Sequence, residues 1–287
     1  MSATSFHHRL PFGAEPEADG TTRFRLWAPA ARAVAVTFAD GREVPMPPAG
    51  DGWFAVTTTA TPGTRYRYRV APDVTVPDPA SRAQDGDVAG WSVVTDAAAH
   101  RWQHGDWRGR PWHETVLYEL HPGCFGGFRG VMAELPRLAA LGITAVELMP
   151  VADFAGTRGW GYDGVLPYAP DEAYGTPDDL KALVDAAHGL GLMVFLDVVY
   201  NHFGPEGNWL HAYAPGFFAR GTHTPWGAAI DFSKPPVRDY FIENAVHWVM
   251  EYRFDGLRFD AVHAIESAPG EGFLREMAGR IRAAVEP

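Results

Sequence analysis

Short apolar runs separated by turn residues fill the first quarter of the chain. FRLWAP at 24–29, VAVTF at 34–38, WFAV at 53–56 and TRYRYRV at 64–70 have Asp40-Gly41 and Pro62-Gly63 among the segments between them. Runs at about 8–12-residue spacing with such punctuation read as antiparallel strands. In the last run, Tyr66 and Tyr68 alternate with Arg65, Arg67 and Arg69, which gives a strand with one apolar side. The pattern predicts a small, immunoglobulin-like β-sandwich ending near 75. VPDPASRAQDGDVAG at 76–90 reads as a linker or long loop. Trp91, Trp102, Trp107 and Trp112 follow and are expected to pack between two domains.

From about 115 the rhythm changes. TVLYELH (115–121), ITAVELMPV (143–151), LMVFLDVV (192–199) and GLRFDAV (256–262) are strand-like, the third apolar almost throughout. Such runs suit strands covered on both faces. Helical spacing lies between them. Leu135, Leu138 and Leu141 form one stripe before Gly142; Leu180, Leu183, Val184, Ala187 and Leu190 form another before Gly191. Thr176-Pro177-Asp178-Asp179 supplies a cap, a first-turn proline and acids at the positive end of the second helix. A third helix is expected near 236–253 with Val237, Phe241, Ala245, Trp248 and Tyr252 on one side, and a fourth near 271–285 with Phe273, Met277 and Ile281.

Strand–helix alternation implies a parallel sheet with right-handed crossovers. An open doubly wound sheet and a (β/α)8 barrel both fit. No G-x-G-x-x-G follows the first of these strands and no Walker A motif occurs, so a nucleotide site loses support. The expected organisation is a sandwich with linker over residues 1–99 and the first four βα units of a barrel over 100–287.

Composition narrows the function. The 287 residues are 46% hydrophobic and 21% charged, as in ordinary globular proteins. The net charge of −11 leaves no basic footprint for nucleic acid. A single cysteine, Cys124, excludes an internal disulfide framework. There is no apolar run of about 18 residues to span a membrane and no secretory pattern at the N-terminus, so a cytoplasmic location is expected.

The polar chemistry collects at strand ends. In LRFDAV, alternation sends Leu257 and Phe259 to one face, Arg258 and Asp260 to the other. Two readings stand: an internal salt bridge fixing register, or a carboxylate beside a guanidinium, poised to attack or stabilise a cation. His263 follows. DVVYNH supplies Asp197, Asn201 and His202, either as loop-stabilising groups or as hydrogen bonders around a polyol. RGWGYDGVLPYAP places Trp160, Tyr162, Asp163 and Tyr168 in a long Gly-rich loop, either as core aromatics or as sugar platforms. Cys124 with His121 raises a Cys–His nucleophile, but no third group orients the base. His7, His8, His202, His211 and His223 lack metal-ligand spacing.

DVVYNH, GLRFDAVH and RGWGYDGV together resemble segments of the α-amylase superfamily of retaining glycoside hydrolases. FGPEGN, TPWGAAI and FDAVHAI narrow the resemblance to malto-oligosyltrehalose trehalohydrolases, over most of 115–266, and FGAEP…TRFRLWAP is similar to that family's sandwich. The resemblance implies hydrolysis of the α-1,4 bond next to a terminal trehalose unit on a maltooligosaccharide. It makes Asp260 the nucleophile, Arg258 its partner, and Trp160, Tyr162, Asp163, Asp197, Asn201, His202 and His263 substrate-binding residues. In the wider superfamily the Asn201 position often touches a structural calcium; the closer family does not need one, so no cofactor and no metal are expected. The family's acid/base Glu ends a fifth strand. Glu266, Glu271, Glu276 and Glu286 are on no such strand, so that group is expected outside this chain, which by itself would be inactive and prone to associate through half-barrel edges. The first βα loop, GCFGGF, is shorter than the family's usual stretch.

Overall fold

The computed structural model describes residues 6–266 and 270–285. Its first part is all β: β1 (Gly13–Pro16), β2 (Thr21–Trp27), β3 (Val34–Phe38), β4 (Glu43–Met46), β5 (Trp53–Thr59), β6 (Arg65–Ala71), β7 (Val74–Val76), β8 (Gln84–Asp85) and β9 (Trp91–Val93). They form two antiparallel sheets, β1-β2-β5 and β4-β3-β6-β9-β8, with β7 also on β6. Alternation decides the faces. Phe24 and Leu26 of β2 and Tyr66, Tyr68 and Val70 of β6 are buried between the sheets. On the outer face of β6, Arg65 and Arg69 pair with Asp85 and Glu43, and Arg67 lies over the Trp91 ring.

The segment read as a linker at 76–90 instead folds back as β8, and Trp91 opens β9, which completes the larger sheet. Its polar composition hid the strands because β8 is only two residues long and lies at an edge. Trp112 is 73% exposed, so it is not an interdomain packing residue, whereas Trp102 is buried against Phe6.

The second part is built on β10 (Leu117–Leu120), β11 (Ala145–Leu148), β14 (Met193–Val198) and β17 (Gly256–Phe259), parallel and in that order. Between them lie α1 (Phe128–Ala140), the short hairpin β12 (Ala152–Asp153) and β13 (Leu166–Pro170), α2 (Pro177–Gly189), α3 (Leu210–Tyr213), the hairpin β15 (Phe218–Thr224) and β16 (Gly227–Ile230), and α4 (Pro235–Met250). After β17 come α5 (Val262–Glu266) and α6 (Phe273–Val285). This is an immunoglobulin-like sandwich followed by the first four βα units of a (β/α)8 barrel. No helix among the described residues is long and apolar enough to cross a membrane.

The helices start and stop where their sequences direct. Thr176 and Asp179 close a reciprocal capping box at α2. Leu135, Leu138, Leu180, Leu183, Val184 and Ala187 are buried as their spacing requires. Leu141 and Leu190 are not; they are 68% and 43% exposed. Each is a C-cap residue just before a left-handed glycine, Gly142 or Gly191, where the chain turns off the helical stripe. The fourth strand also differs from expectation. It is an edge, so β17 is only partly buried and Arg258 is exposed. At the other edge Leu117 and Tyr118 are 43% and 39% exposed.

A buried charge cluster fastens the two parts together. Arg82 donates to Glu15 of β1 at 2.7 Å and lies 3.3 Å from Glu251, which follows α4. Lys181 of α2 lies 3.5 Å from Glu251 and donates to the Ala97 carbonyl at 3.2 Å. His247 stacks its ring edge on Tyr252 and stands 3.4 Å from the same carboxylate.

Candidate active site

The ends of β14 and β17 meet in register, Asp197 opposite Arg258. Period-two alternation turns both toward the side that would be the barrel interior, and Asp260 lies two residues beyond Arg258 on the same side. One guanidinium nitrogen of Arg258 is shared. Nη1 donates to Asp197 Oδ1 and Oδ2 at 3.0 and 2.8 Å and to Asp260 Oδ1 at 2.8 Å. The backbone N–H of Asp260 extends the ladder by one bond, to the Val198 carbonyl at 3.1 Å. The following residue, Ala261, has φ +44, a conformation rare for a residue with a Cβ.

Tyr162 completes the group from the long loop. Its hydroxyl donates to Asp197 Oδ2 at 2.9 Å. The loop can bring it there because Gly161 has φ +88, and a Cβ on it would come 2.0 Å from the Pro150 carbonyl oxygen. Asp197 thus sits with no side-chain exposure between a guanidinium and a phenol, while Asp260 keeps 22% of its side chain accessible. Burial raises the Asp197 carboxyl above its usual range, against the bonds from Arg258 and Tyr162. Burial opposes the charge of Arg258, yet the bonds to Asp197 and then to Asp260 leave it raised.

His202 forms the other wall. Asn201 Nδ2 donates to His202 Nδ1 at 2.9 Å. Burial lowers the ring's pKa, with Asp163 acting in the opposite direction, which favours the neutral imidazole. Asn201 Oδ1 is buried without a hydrogen-bond partner. Trp226, in the turn between β15 and β16, stacks on His202 at 5.6 Å and 21° and tilts toward His263 at 6.3 Å. It is 47% exposed. Sequence reading noted TPWGAAI but did not name Trp226; a lone tryptophan in a polar hairpin turn was the available signal.

The other expected residues divide. Asp163 is exposed beside His202, and His263 is exposed on α5. Trp160 is 75% exposed. Tyr168, weighed as a sugar platform, is fully buried and donates to the Tyr240 carbonyl at 2.5 Å, so it is a core residue. His121 Nδ1 accepts from the backbone N–H of Cys124 at 3.2 Å, an arrangement that caps a turn and does not activate the thiol. Glu276 is helical and pairs with Arg238; Glu286 lies outside the described residues. Deeper in the sheet, Glu119, Glu147 and Asp197 bring carboxylate oxygens within 4.8 Å of one another, but Arg258 already supplies the positive charge at Asp197.

The arrangement offers a partly exposed carboxylate, Asp260, at a strand end, with a phenol and an imidazole near it and an indole stacked on the imidazole. That is an environment for a sugar ring: hydrogen bonds to hydroxyls, faces for C–H surfaces, and a negative oxygen where positive charge could develop.

A family model for the α-amylase catalytic domain matches residues 80–215, and one for carbohydrate-binding module 48, the isoamylase N-terminal domain, matches 11–97. The chain belongs to the α-amylase family. Among relatives of this α-amylase-family chain, the malto-oligosyltrehalose trehalohydrolase of Deinococcus radiodurans is 44% identical over 97% of this chain and 47% of its own length. A crystal structure of an α-amylase candidate from Salmonella typhimurium is 50% identical, with TM-score 0.93 over 96% of this chain and 48% of that one. Pullulanase type I from Bacillus subtilis, solved with maltose, is 25% identical with TM-score 0.85 over 98% of this chain and 46% of that one. The chain spans about half the length of the curated relatives it matches.

Proposed function

We propose that this chain is the N-terminal part of a trehalohydrolase, with residues 1–99 as sandwich and linker and 100–287 as the first half of the barrel. The substrate is a maltooligosaccharide ending in trehalose, and the bond cut is the α-1,4 bond next to that unit, which releases trehalose. This places the protein in trehalose formation, in the cytoplasm, a setting that suits a chain whose one cysteine can close no internal disulfide. The observation that carries the reading is Arg258 shared between Asp197 and Asp260 at one strand-end cleft.

In this mechanism Asp260 attacks the anomeric carbon and forms a glycosyl-enzyme, and Arg258 orients it by a charge-assisted hydrogen bond. Tyr162 stacks on the sugar at the cleavage point. Asp163, Asn201, His202, His263 and the outlying Trp160 line the substrate path. Retention needs a second carboxyl about 5–5.5 Å from the nucleophile to protonate the leaving oxygen and then activate water. Asp197 does not serve, since it is wholly buried and its oxygens are engaged by Arg258 and Tyr162. The acid/base is assigned outside residues 1–287, so the isolated polypeptide is catalytically silent and associates through the exposed edges of β10 and β17.

The test compares maltooligosyltrehalose with plain maltodextrin, using the 287-residue chain alone and mixed with a polypeptide supplying the remaining barrel strands. Trehalose is expected only from the mixture and only from the first substrate. Trehalose from the chain alone overturns the assignment of the acid/base. Turnover of maltodextrin without trehalose favours a branching or debranching α-glucan enzyme. Oligosaccharide binding by a stable monomer, with no turnover in either sample, favours a non-catalytic binding protein.

A further inference from the structure

His121 is partly buried, one residue beyond β10, and has no part in the site described above. Both of its ring nitrogens are nevertheless engaged. Nδ1 accepts from the backbone N–H of Cys124 at 3.2 Å, as the cap of the short turn Pro122–Phe125. Nε2 lies 2.6 Å from the carbonyl oxygen of Gly159, in the loop that carries Trp160 and Tyr162.

The partners decide where the proton sits. A carbonyl oxygen only accepts, so Nε2 carries the hydrogen; a backbone N–H only donates, so Nδ1 carries the lone pair. The ring is therefore the neutral Nε2–H tautomer and donates to Gly159. The Tyr174 hydroxyl, 3.2 Å from Nε2, finds no lone pair there and donates to the same carbonyl at 3.3 Å. Packing keeps the ring in that pose. Tyr174 is buried and stands edge-on to it at 5.6 Å and 85°, and a Cβ on Gly123 would come 2.7 Å from its Cε1.

The segment 159–162 is thus held at both ends. His121 and Tyr174 hold the Gly159 carbonyl at one end, and the Tyr162 hydroxyl donates to Asp197 at 2.9 Å at the other. Trp160 projects from between them, and its ring meets solvent. We propose that His121 is a positioning residue for the substrate site: through the Gly159 carbonyl it sets the placement of the loop bearing Trp160 and Tyr162, and so of the aromatic surface offered to the glucan. That the loop meets a glucan rests on the functional reading above; that His121 holds the loop does not. The His121–Cys124 spacing, which suggests a nucleophile pair in the sequence, serves instead as a latch between the first and second barrel loops. The grip is on a backbone carbonyl, so no side-chain pattern within the loop records it.

Two substitutions separate the two bonds. Asn at 121 places an acceptor oxygen near the position of Nδ1 and caps the turn, but has no group where Nε2 lies. Gln reaches that place with an amide donor and gives up the cap. Trypsin cutting after the exposed Arg158, next to Gly159, reads release of the loop. In the folded 287-residue chain, His121→Asn should be cut there about fivefold faster or more, and His121→Gln within about twofold of the unsubstituted rate. In a polypeptide carrying the complete barrel, His121→Asn should raise KM for maltooligosyltrehalose about tenfold with kcat changed less, and His121→Gln should restore most of the loss. A role confined to the turn requires the reverse order, because Asn is the better cap. That reverse order, or equal cutting of the two variants, overturns the proposal, and so does a freed loop with KM unchanged. If a variant does not fold, nitrogen NMR on the unsubstituted chain decides: the His121 ring should show the Nε2–H tautomer, and the Nδ1–H tautomer overturns the proposal. Proteolysis and NMR need no turnover, so an enzyme that never releases trehalose counts against the functional reading and not against the latch.

Discussion

Arg82 and Arg258 each face two carboxylates, in opposite surroundings. Arg82 is 4% exposed, between Glu15 at 1% and Glu251 at 2%. Arg258 is 44% exposed, between Asp197 at 0% and Asp260 at 22%. Around Arg82 the ledger of charge is closed: Lys181 adds a second cation and His247 packs alongside. Burial alone would raise the Glu251 carboxyl, but Arg82, His247 and Lys181 hold it well below the usual range. Such a cluster fixes geometry and does no chemistry. Around Arg258 one carboxylate is locked by Tyr162, and the other still meets solvent. The same residue types become a bolt in one place and a poised reagent in the other, according to whether both carboxylates are shut away from solvent.

Asp78 sharpens the contrast. It too is buried, but its bonded partners are the Tyr66 and Tyr68 hydroxyls and the Ala80 N–H, with no guanidinium bonded to it. Burial pushes its carboxyl up to about 6, against those bonds. Polar company without a bonded cation leaves a buried acid harder to ionise than a solvated one.

Four measurements test the contrast between the two arginines. The largest effect belongs to the exposed carboxylate. In a polypeptide carrying the complete barrel, Asp260→Asn should cut turnover by about 10³-fold or more with the urea midpoint little changed. A midpoint shift as large as that of an Arg82 variant would show Asp260 to be structural.

Next is the closed cluster. Arg82→Met leaves Glu15 and Glu251 without their shared cation and should cost about 3–5 kcal/mol in denaturant unfolding. A loss under about 1 kcal/mol would mean that the cluster fastens nothing.

Asp78 gives a pH dependence. Below about pH 4 it is protonated folded and unfolded. Between about 4 and the folded value of about 6, only the unfolded chain releases the proton. Its contribution to stability therefore falls with rising pH in that window, by about 1.4 kcal/mol per unit at most, and is flat above it. Unfolding at several pH values, with Asp78→Asn expected to flatten the slope, checks this.

The smallest effect is Arg258→Met, expected to cost under about 2 kcal/mol, because the guanidinium is well solvated and Tyr162 still donates to Asp197. A double-mutant comparison with Tyr162→Phe would expose the coupling, since both groups reach the same oxygen of Asp197.

Much of this was legible in the residue order. Short apolar runs located β3, β11 and β14, period-two alternation located β6, helical stripes located α1, α2 and α4, and the Thr176–Asp179 box marked a helix start. Alternation also put Arg258 and Asp260 on one face. The failures share a cause. β8, with two residues, is too short to show a period, and Tyr168 sits in a five-residue strand buried throughout, so polarity gave no clue to its facing.

By itself the sequence determined the local elements, their periods and the chemical types present at the strand ends, because these depend on neighbours two to four residues apart. Tertiary structure alone decided that Asp197, Arg258, Asp260 and Tyr162 share hydrogen bonds and that Trp226 covers His202. Those groups come from segments about 20 to 100 residues apart in the chain. Only the register of paired strands and the packing of the sandwich on the barrel bring them to bonding distance, and no local pattern encodes that.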